Sequence, residues 1–319
     1  MSGAEIRTTV IGAILFALAA SIPLFDNGYY LSLSLNIAMY AALCTAWTLF
    51  SGPTHYISLA TAAFFGIGAY SVGLGIDALP FALLVLIAAL VGGLVAAGAG
   101  FLTLRLRGVY FVILTLGLAE FIRQIVTWAQ TNFTTSVGLY VFTDFTERHI
   151  FWMLLALLAV IYVVGWAINR SRLGFAMRII GNDETVAAHV GINTALAKVI
   201  LFVVSGVFMA IVGAIVAPRF AYIEPPSAFN PIISFQVVIM ALLGGTKRLW
   251  GPLVGVIPFT ILFDFMAANF PNYTNVLIGV VFMLIVYLIP TGILGRIETL
   301  LARASRRGRR AHQKVEQNA

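Results

Sequence analysis

Apolar runs recur along nearly the whole chain, and that recurrence limits the possible folds more than any other feature. They fall at Thr9–Phe25, Tyr29–Phe50, Ile57–Ile76, Pro80–Leu104, Gly108–Trp128, Ile150–Ile168, Ala195–Pro218, Ile232–Gly245, Pro252–Phe270 and Val276–Ile289. A helix needs about 20 apolar residues to cross the hydrocarbon of a bilayer. Strand-period alternation is absent, and within lipid a helix satisfies its own backbone groups. The sequence therefore predicts an all-α integral membrane protein of about ten transmembrane helices. Ile232–Gly245 and Val276–Ile289 are short for full spans. Composition agrees: of 319 residues 61% are apolar and 10% charged, against about 25% charged in a soluble protein. A soluble enzyme, a disordered chain and a single-anchor protein are excluded. The transmembrane domain covers residues 1–290, and a basic tail covers 291–319.

Orientation follows from Lys and Arg, which concentrate in cytoplasmic loops. With the N-terminus inside, the cytoplasmic side receives Arg7, Arg105, Arg107, Arg170, Arg172, Arg178, Lys198, Lys247, Arg248, Arg296, Arg303, Arg306, Arg307, Arg309, Arg310 and Lys314, 16 of the 19 basic residues. Only Arg123, Arg148 and Arg219 fall elsewhere. Both termini are expected in the cytoplasm, and the same bias explains the net charge of +7 without nucleic acid as a partner. Arg306-Arg307-Gly308-Arg309-Arg310 can attract anionic membrane lipid, although a solvated topology signal explains it as well. Arg7, the following apolar stretch and Ala17-Leu18-Ala19 have the look of a signal peptide; an uncleaved first span is the favoured reading. Cys44 is the only cysteine, and no Cys/His spacing suggests a metal site.

The longest cytoplasmic connection, 169–194, carries helix signals of its own. Asn182 or Asp183 can cap a helix N-terminus, and Asp183 and Glu184 suit the positive end of its dipole. Gly191 fits the left-handed position past the end. Val186, Ala187, Ala188 and Val190 then form a small apolar surface with nothing in the loop to bury it. A docked partner, the membrane surface or the protein's own bundle would each cover it.

This segment, Arg172-Leu173-Gly174-Phe175-Ala176-Met177-Arg178-Ile179-Ile180-Gly181-Asn182-Asp183-Glu184, continued by Ala187-Ala188 and Gly191-Ile192, resembles the cytoplasmic coupling loop of branched-chain amino-acid ABC importer permeases of the LivM type. Further stretches are similar to the same family in the same order. These are Phe50-Ser51-Gly52-Pro53 with Ile57-Ser58-Leu59 and Ala62 to Tyr70; Leu104 to Phe111 with Leu114-Thr115-Leu116-Gly117-Leu118-Ala119-Glu120; and Leu243-Gly244-Gly245-Thr246 with Leu249-Trp250-Gly251-Pro252. The resemblance implies a second permease subunit, two cytoplasmic ATPase subunits on the coupling loops, and a periplasmic substrate-binding protein, all at a bacterial inner membrane. It places ATPase coupling on Arg172, Gly174, Arg178, Asn182, Asp183, Glu184, Ala187, Ala188 and Gly191. No phosphate-cradling Gly-x-x-x-x-Gly-Lys-Ser/Thr loop is present, so ATP is expected at the partners, with no cofactor and no catalytic residue on this chain. Where the family often has a Thr-Gly-Gly-rich outside segment, this chain reads Thr131 to Leu139. Leucine, isoleucine and valine, urea, amides and aromatic acids all stay open as substrates.

Candidates for the substrate path are Ser58, Gly66, Thr115, Glu120 and Arg123. Glu120 and Arg123 are three residues apart and share a helix face. A lone charge in a span costs about 3 kcal/mol on insertion scales, so a structural pair is favoured over a passage lining. Asp264 has no local partner. Gly92, Gly93, Ala96, Ala97 and Gly100 read as a close-packing row. Gly66 and Gly68 read the same way, with a break near the midplane as the weaker alternative. Trp47, Trp128, Trp152 and Trp250 are expected at the membrane interface. A self-contained secondary transporter or channel is the alternative function, with only Glu120 and Asp264 as coupling-ion candidates. A membrane enzyme is the poorest reading, because no catalytic constellation appears.

Overall fold

The computed structural model describes residues 28–104, 106, 108–133, 138–246 and 248–288. The Thr9–Phe25 run with Arg7, the charges Arg105, Arg107 and Lys247, residues 134–137 and the basic tail lie outside the described residues. Every other apolar run contains a helix: α1 (Gly28–Thr54), α2 (Thr61–Gly75), α3 (Phe81–Thr103), α4 (Val109–Phe133), α5 (Glu147–Arg170), α8 (Thr194–Val216), α10 (Pro231–Gly244), α11 (Gly251–Asn269) and α12 (Thr274–Leu288). Three short helices, α6 (Arg172–Asn182), α7 (Glu184–His189) and α9 (Pro225–Ala228), lie in connections. Among the described residues seven helical stretches are long and apolar enough to cross a membrane. The protein is an all-α membrane protein.

α1, α2, α8 and α10 are mostly buried, whereas α3 and α4 leave most of their surface exposed. α8 packs on α1, α2 and α3. Glycine permits the closest approach: a Cβ at Gly68 of α2 would run into the Ala210 carbonyl of α8, and one at Gly213 of α8 into the Phe65 carbonyl of α2. The glycine row of α3 packs as expected, with Gly92 against Ala210, Gly93 against Val207 and Gly100 against Phe202.

The Ile57–Ile76 run is not one spanning helix. Helix α1 ends at Thr54, the chain turns at His55 (φ 59°), and residues 55–60 are non-helical before α2 begins. α2 starts level with the middle of α1. Ala62 N–H donates to Ser234 Oγ of α10 at 2.9 Å. Two residues on, Gln236 meets Tyr40, the thirteenth residue of the 27-residue α1. Non-helical backbone at membrane depth survives only where protein satisfies it. Here Trp47 Nε1 donates to Ser58 O at 2.8 Å, Leu59 N–H to Thr115 Oγ1 at 3.0 Å, and Ala60 N–H to Ser58 Oγ at 3.3 Å. The break thus precedes Gly66 and Gly68, which serve packing.

At the end of the bundle away from α6 and α7, two two-residue strands pair antiparallel, β1 (Leu139–Tyr140) with β2 (Tyr222–Ile223), in register Leu139↔Ile223 and Tyr140↔Tyr222. The expectation of helices alone missed them because they sit in connections, where backbone pairing is not dictated by lipid. At the same end Arg219 donates to Asn36 Oδ1 and Ser32 Oγ, each at 2.6 Å, and lies 3.4 Å from the Glu147 carboxylate. Trp47, expected at the interface, is instead buried in the core, because its ring nitrogen is needed at Ser58.

Candidate functional site

The connection between α5 and α8 folds into two helices where the sequence suggested one. Ser171 caps α6 by accepting from Gly174 N–H at 3.3 Å. Asp183, not Asn182, caps α7 by accepting from Thr185 N–H at 2.8 Å and Val186 N–H at 3.2 Å. Those backbone bonds, Val186 first, hold its carboxyl below the ordinary carboxylate range. Gly191 has φ 82°, the left-handed geometry that ends α7. Gly174 and Gly181 allow backbone contact, since a Cβ at either would meet the carbonyl of Ile168 or Pro53.

Burial sorts the coupling candidates. Arg172, Arg178, Asn182, Asp183, Ala188 and Gly191 are exposed, and Gly174 is buried. Ala187 is fully buried. It therefore cannot meet a docked partner, a correction to the apolar surface read from sequence: α7 packs back on its own bundle through Ala187 and points Val186 and Val190 outward. Phe175, absent from the sequence candidates, is also exposed. Its signal was present in the pattern: it lies between Gly174 and Met177, both buried, on the opposite side of α6.

Glu184 faces inward and anchors the loop to the membrane helices. Its carboxylate lies 2.7 Å from Lys198 Nζ of α8 and accepts from Tyr56 OH at 2.9 Å. Lys198 also donates to Leu104 O at the end of α3, at 3.3 Å, and sits 4.8 Å from the Tyr56 ring centroid. Lys198 is 2% exposed and Glu184 14%, so the pair is desolvated and several partners share its charge. One residue before Tyr56, His55 Nδ1 donates to Gly181 O at 2.9 Å. The loop thus grips the lead-in to α2 at two successive residues. Sequence reasoning counted Lys198 as an ordinary topology charge, and no local pattern marks the long-range pairing.

The substrate-path candidates separate into two groups. Ser58, Gly66 and Thr115 are buried. Thr115 Oγ1 accepts from Leu59 and donates to Val112 O at 2.9 Å, and a Cβ at Gly66 would enter the Phe229 ring. These three hold the break and the packing of α2. Glu120 and Arg123 instead stand on the outer surface of α4. Arg123 Nε donates to Glu120 Oε2 at 2.8 Å and a second guanidinium nitrogen reaches Oε1. Gln124 Nε2 donates to Oε1 at 2.8 Å. The pair is real, but it is not enclosed: the side chains are 44% and 28% exposed for Glu120 and Arg123. Asp264 has a partner after all, accepting from Tyr29 OH at 2.7 Å, a contact 235 residues apart in sequence that no local reading would show. An apolar cavity of about 420 Å³ lies where α2, α3 and α4 diverge, lined among others by Ile67, Tyr70, Leu84, Val126 and Phe229.

A bundle of apolar helices with one half-length helix, tied to a two-helix loop at one end, is the build of a multi-pass membrane protein. The family described as "Branched-chain amino acid transport system / permease component" matches residues 29–286, and the chain belongs to it. It is 26% identical to the high-affinity branched-chain amino acid transport system permease protein LivM of Escherichia coli (strain K12), over 92% of this chain and 76% of that protein. It is 24% identical to the corresponding permease protein BraD of Pseudomonas aeruginosa, over 81% of this chain and 92% of that one. A second E. coli permease protein of the same description, LivH, is 27% identical over 52% of this chain and 51% of its own length. No solved structure matches.

Proposed function

We propose that this chain is the LivM-type permease subunit of an ABC importer that carries branched-chain or related small amino acids inward across a bacterial inner membrane. The family match and the LivM, LivH and BraD relatives support this reading over a secondary transporter. The chain pairs with a second permease subunit, receives substrate from a periplasmic binding protein, and draws on ATP hydrolysed by two cytoplasmic ATPase subunits. The full chain has about ten spans with both termini in the cytoplasm, and no cofactor of its own. The observation that carries the mechanism is the Glu184–Lys198–Tyr56 cluster, which ties the coupling loop to the backbone break before α2. A movement imposed on α6 and α7 reaches the membrane interior through that tie, not through a flexible tether.

The exposed set on the loop, Arg172, Phe175, Arg178, Val186, Ala188 and Val190, is the ATPase contact in this reading. Phe175→Ala with Val190→Ser is expected to cut co-purification of the ATPase roughly tenfold, on the scale of buried aromatic anchors, while the permease stays monodisperse. Unchanged co-purification would remove this face from the coupling contact. Ala187→Trp is expected to lower folded yield instead, because the side chain has no exit from the bundle.

Orientation is tested separately. A cytoplasm-active reporter fused after Ala319 is expected to be active, and the same reporter inserted in the 138–146 connection inactive. Activity at both sites would overturn the orientation drawn from the basic residues.

A further inference from the structure

The exposed faces of α3 and α4 differ in a way that hydrocarbon does not allow to be accidental. The large exposed side chains of α3, among them Leu86, Leu90, Leu94 and Leu102, are apolar. α4 carries an exposed apolar stripe too, through Tyr110, Leu114, Phe121, Ile125 and Trp128. Beside that stripe it carries a second one. Taking 100° per residue, Glu120, Arg123, Gln124, Thr127 and Thr131 fall on one sector, between that apolar stripe and the buried residues Thr115, Ala119 and Gln130. Gly117 adjoins that sector with open space around it. Glu120 is the twelfth of the 25 residues of α4, near mid-membrane. A carboxylate and a guanidinium there cannot face lipid without a cost of about 3 kcal/mol each on insertion scales. The polar sector must meet water or protein. The large apolar side chains of the neighbouring stripe are at home in lipid, whereas intramembrane charges face a bundle interior or a water-filled cavity.

We propose that this polar sector of α4 is a wall of the translocation passage, and that Glu120 and Arg123 receive the ammonium and the carboxylate of a zwitterionic amino acid. The inference deepens the function proposed above and rests on it. The two side chains present opposite charges side by side on one helix face, as the α-ammonium and α-carboxylate of an amino acid do. Glu120 and Arg123 satisfy each other, and Gln124 also donates to Glu120, so the pair carries no unpaired charge of its own. A zwitterion can exchange with that pair at little cost, because each charge trades one charged partner for another. A neutral amide or urea offers no such exchange.

The test uses the assembled importer in proteoliposomes. The single native cysteine is buried and is replaced by Cys44→Ser for a clean background. Single cysteines are placed on the polar sector at Gly117, Gln124 and Thr127 and on the apolar stripe at Phe121 and Ile125. They are then challenged with a membrane-impermeant methanethiosulfonate. Labelling is expected at the first set and not at the second, and leucine is expected to slow it at Gln124→Cys more than acetamide or urea does. Glu120→Gln and Arg123→Gln together are expected to leave the complex assembled while lowering leucine uptake roughly tenfold or more, the scale of lost charge-assisted hydrogen bonds. No labelling of the polar sector, in a complex that still transports leucine, would overturn the passage wall and leave the importer reading standing. Labelling without protection by leucine, or equal protection by neutral amides, would overturn the zwitterion assignment. A wild-type complex that moves no amino acid would overturn the proposed function first, and this inference with it.

Discussion

Lys198→Met is expected to cost about 3–5 kcal/mol of folded stability, the range for removing one partner of a buried ion pair. Lys198 is almost wholly enclosed and Glu184 largely so. The variant removes a charged partner 2.7 Å from the carboxylate, and the neutral Tyr56 hydroxyl that also donates to it does not replace a countercharge. Thermal unfolding of the solubilised complex, followed by size-exclusion chromatography, measures the loss. The double variant Lys198→Met with Glu184→Met is expected to regain most of the stability, since an apolar pair of similar size can replace a buried ion pair. It is not expected to regain transport, because the Glu184 link between the loop and Tyr56, ahead of α2, is gone. Wild-type stability in the single variant would show that the pair is not desolvated. Full transport in the double variant would show that the tie does not convey the ATPase movement.

Gly68→Val is expected to abolish the folded bundle, and Gly68→Ala to damage it. Overpacking a tight contact typically costs about 1–3 kcal/mol when side chains can yield. Here the obstacle is the Ala210 carbonyl, backbone within a central helix, so α2 and α8 must separate along their whole contact. Gly213→Ala is expected to act alike through the Phe65 carbonyl. Gly98→Ala on α3, where a Cβ meets nothing, serves as the control and should behave as wild type. Monodispersity of a fluorescent fusion reads all four. A monodisperse, assembly-competent Gly68→Val would mean that the helices do not approach this closely.

Legibility in the sequence followed the range of the interaction. The caps at Asp183 and the stop at Gly191 are set by neighbours within one turn, and both were readable in advance. The pairing of Glu120 with Arg123 was readable for the same reason, as residues three apart on one helix. Its exposure was not, because that depends on which side of α4 the rest of the chain covers. Ala187 shows the same limit from the other direction: its small apolar side chain suits a docking surface and a packed interior equally, and only the seating of α7 against the bundle places it inside.

Hydropathy by itself determined that this chain is a helical membrane protein, because lipid offers no partner for backbone groups and 61% apolar composition has no soluble home. Close packing was also written into the glycine rows of α2 and α3, since the absence of a side chain is a local fact. What only the tertiary structure decided are the contacts between segments far apart in the chain. Glu184 with Lys198 and Tyr56, Asp264 with Tyr29, and Trp47 and Thr115 on the broken backbone before α2 are of this kind. A buried polar group must find a partner wherever the fold brings one within about 3 Å, and no spacing in the sequence encodes that distance.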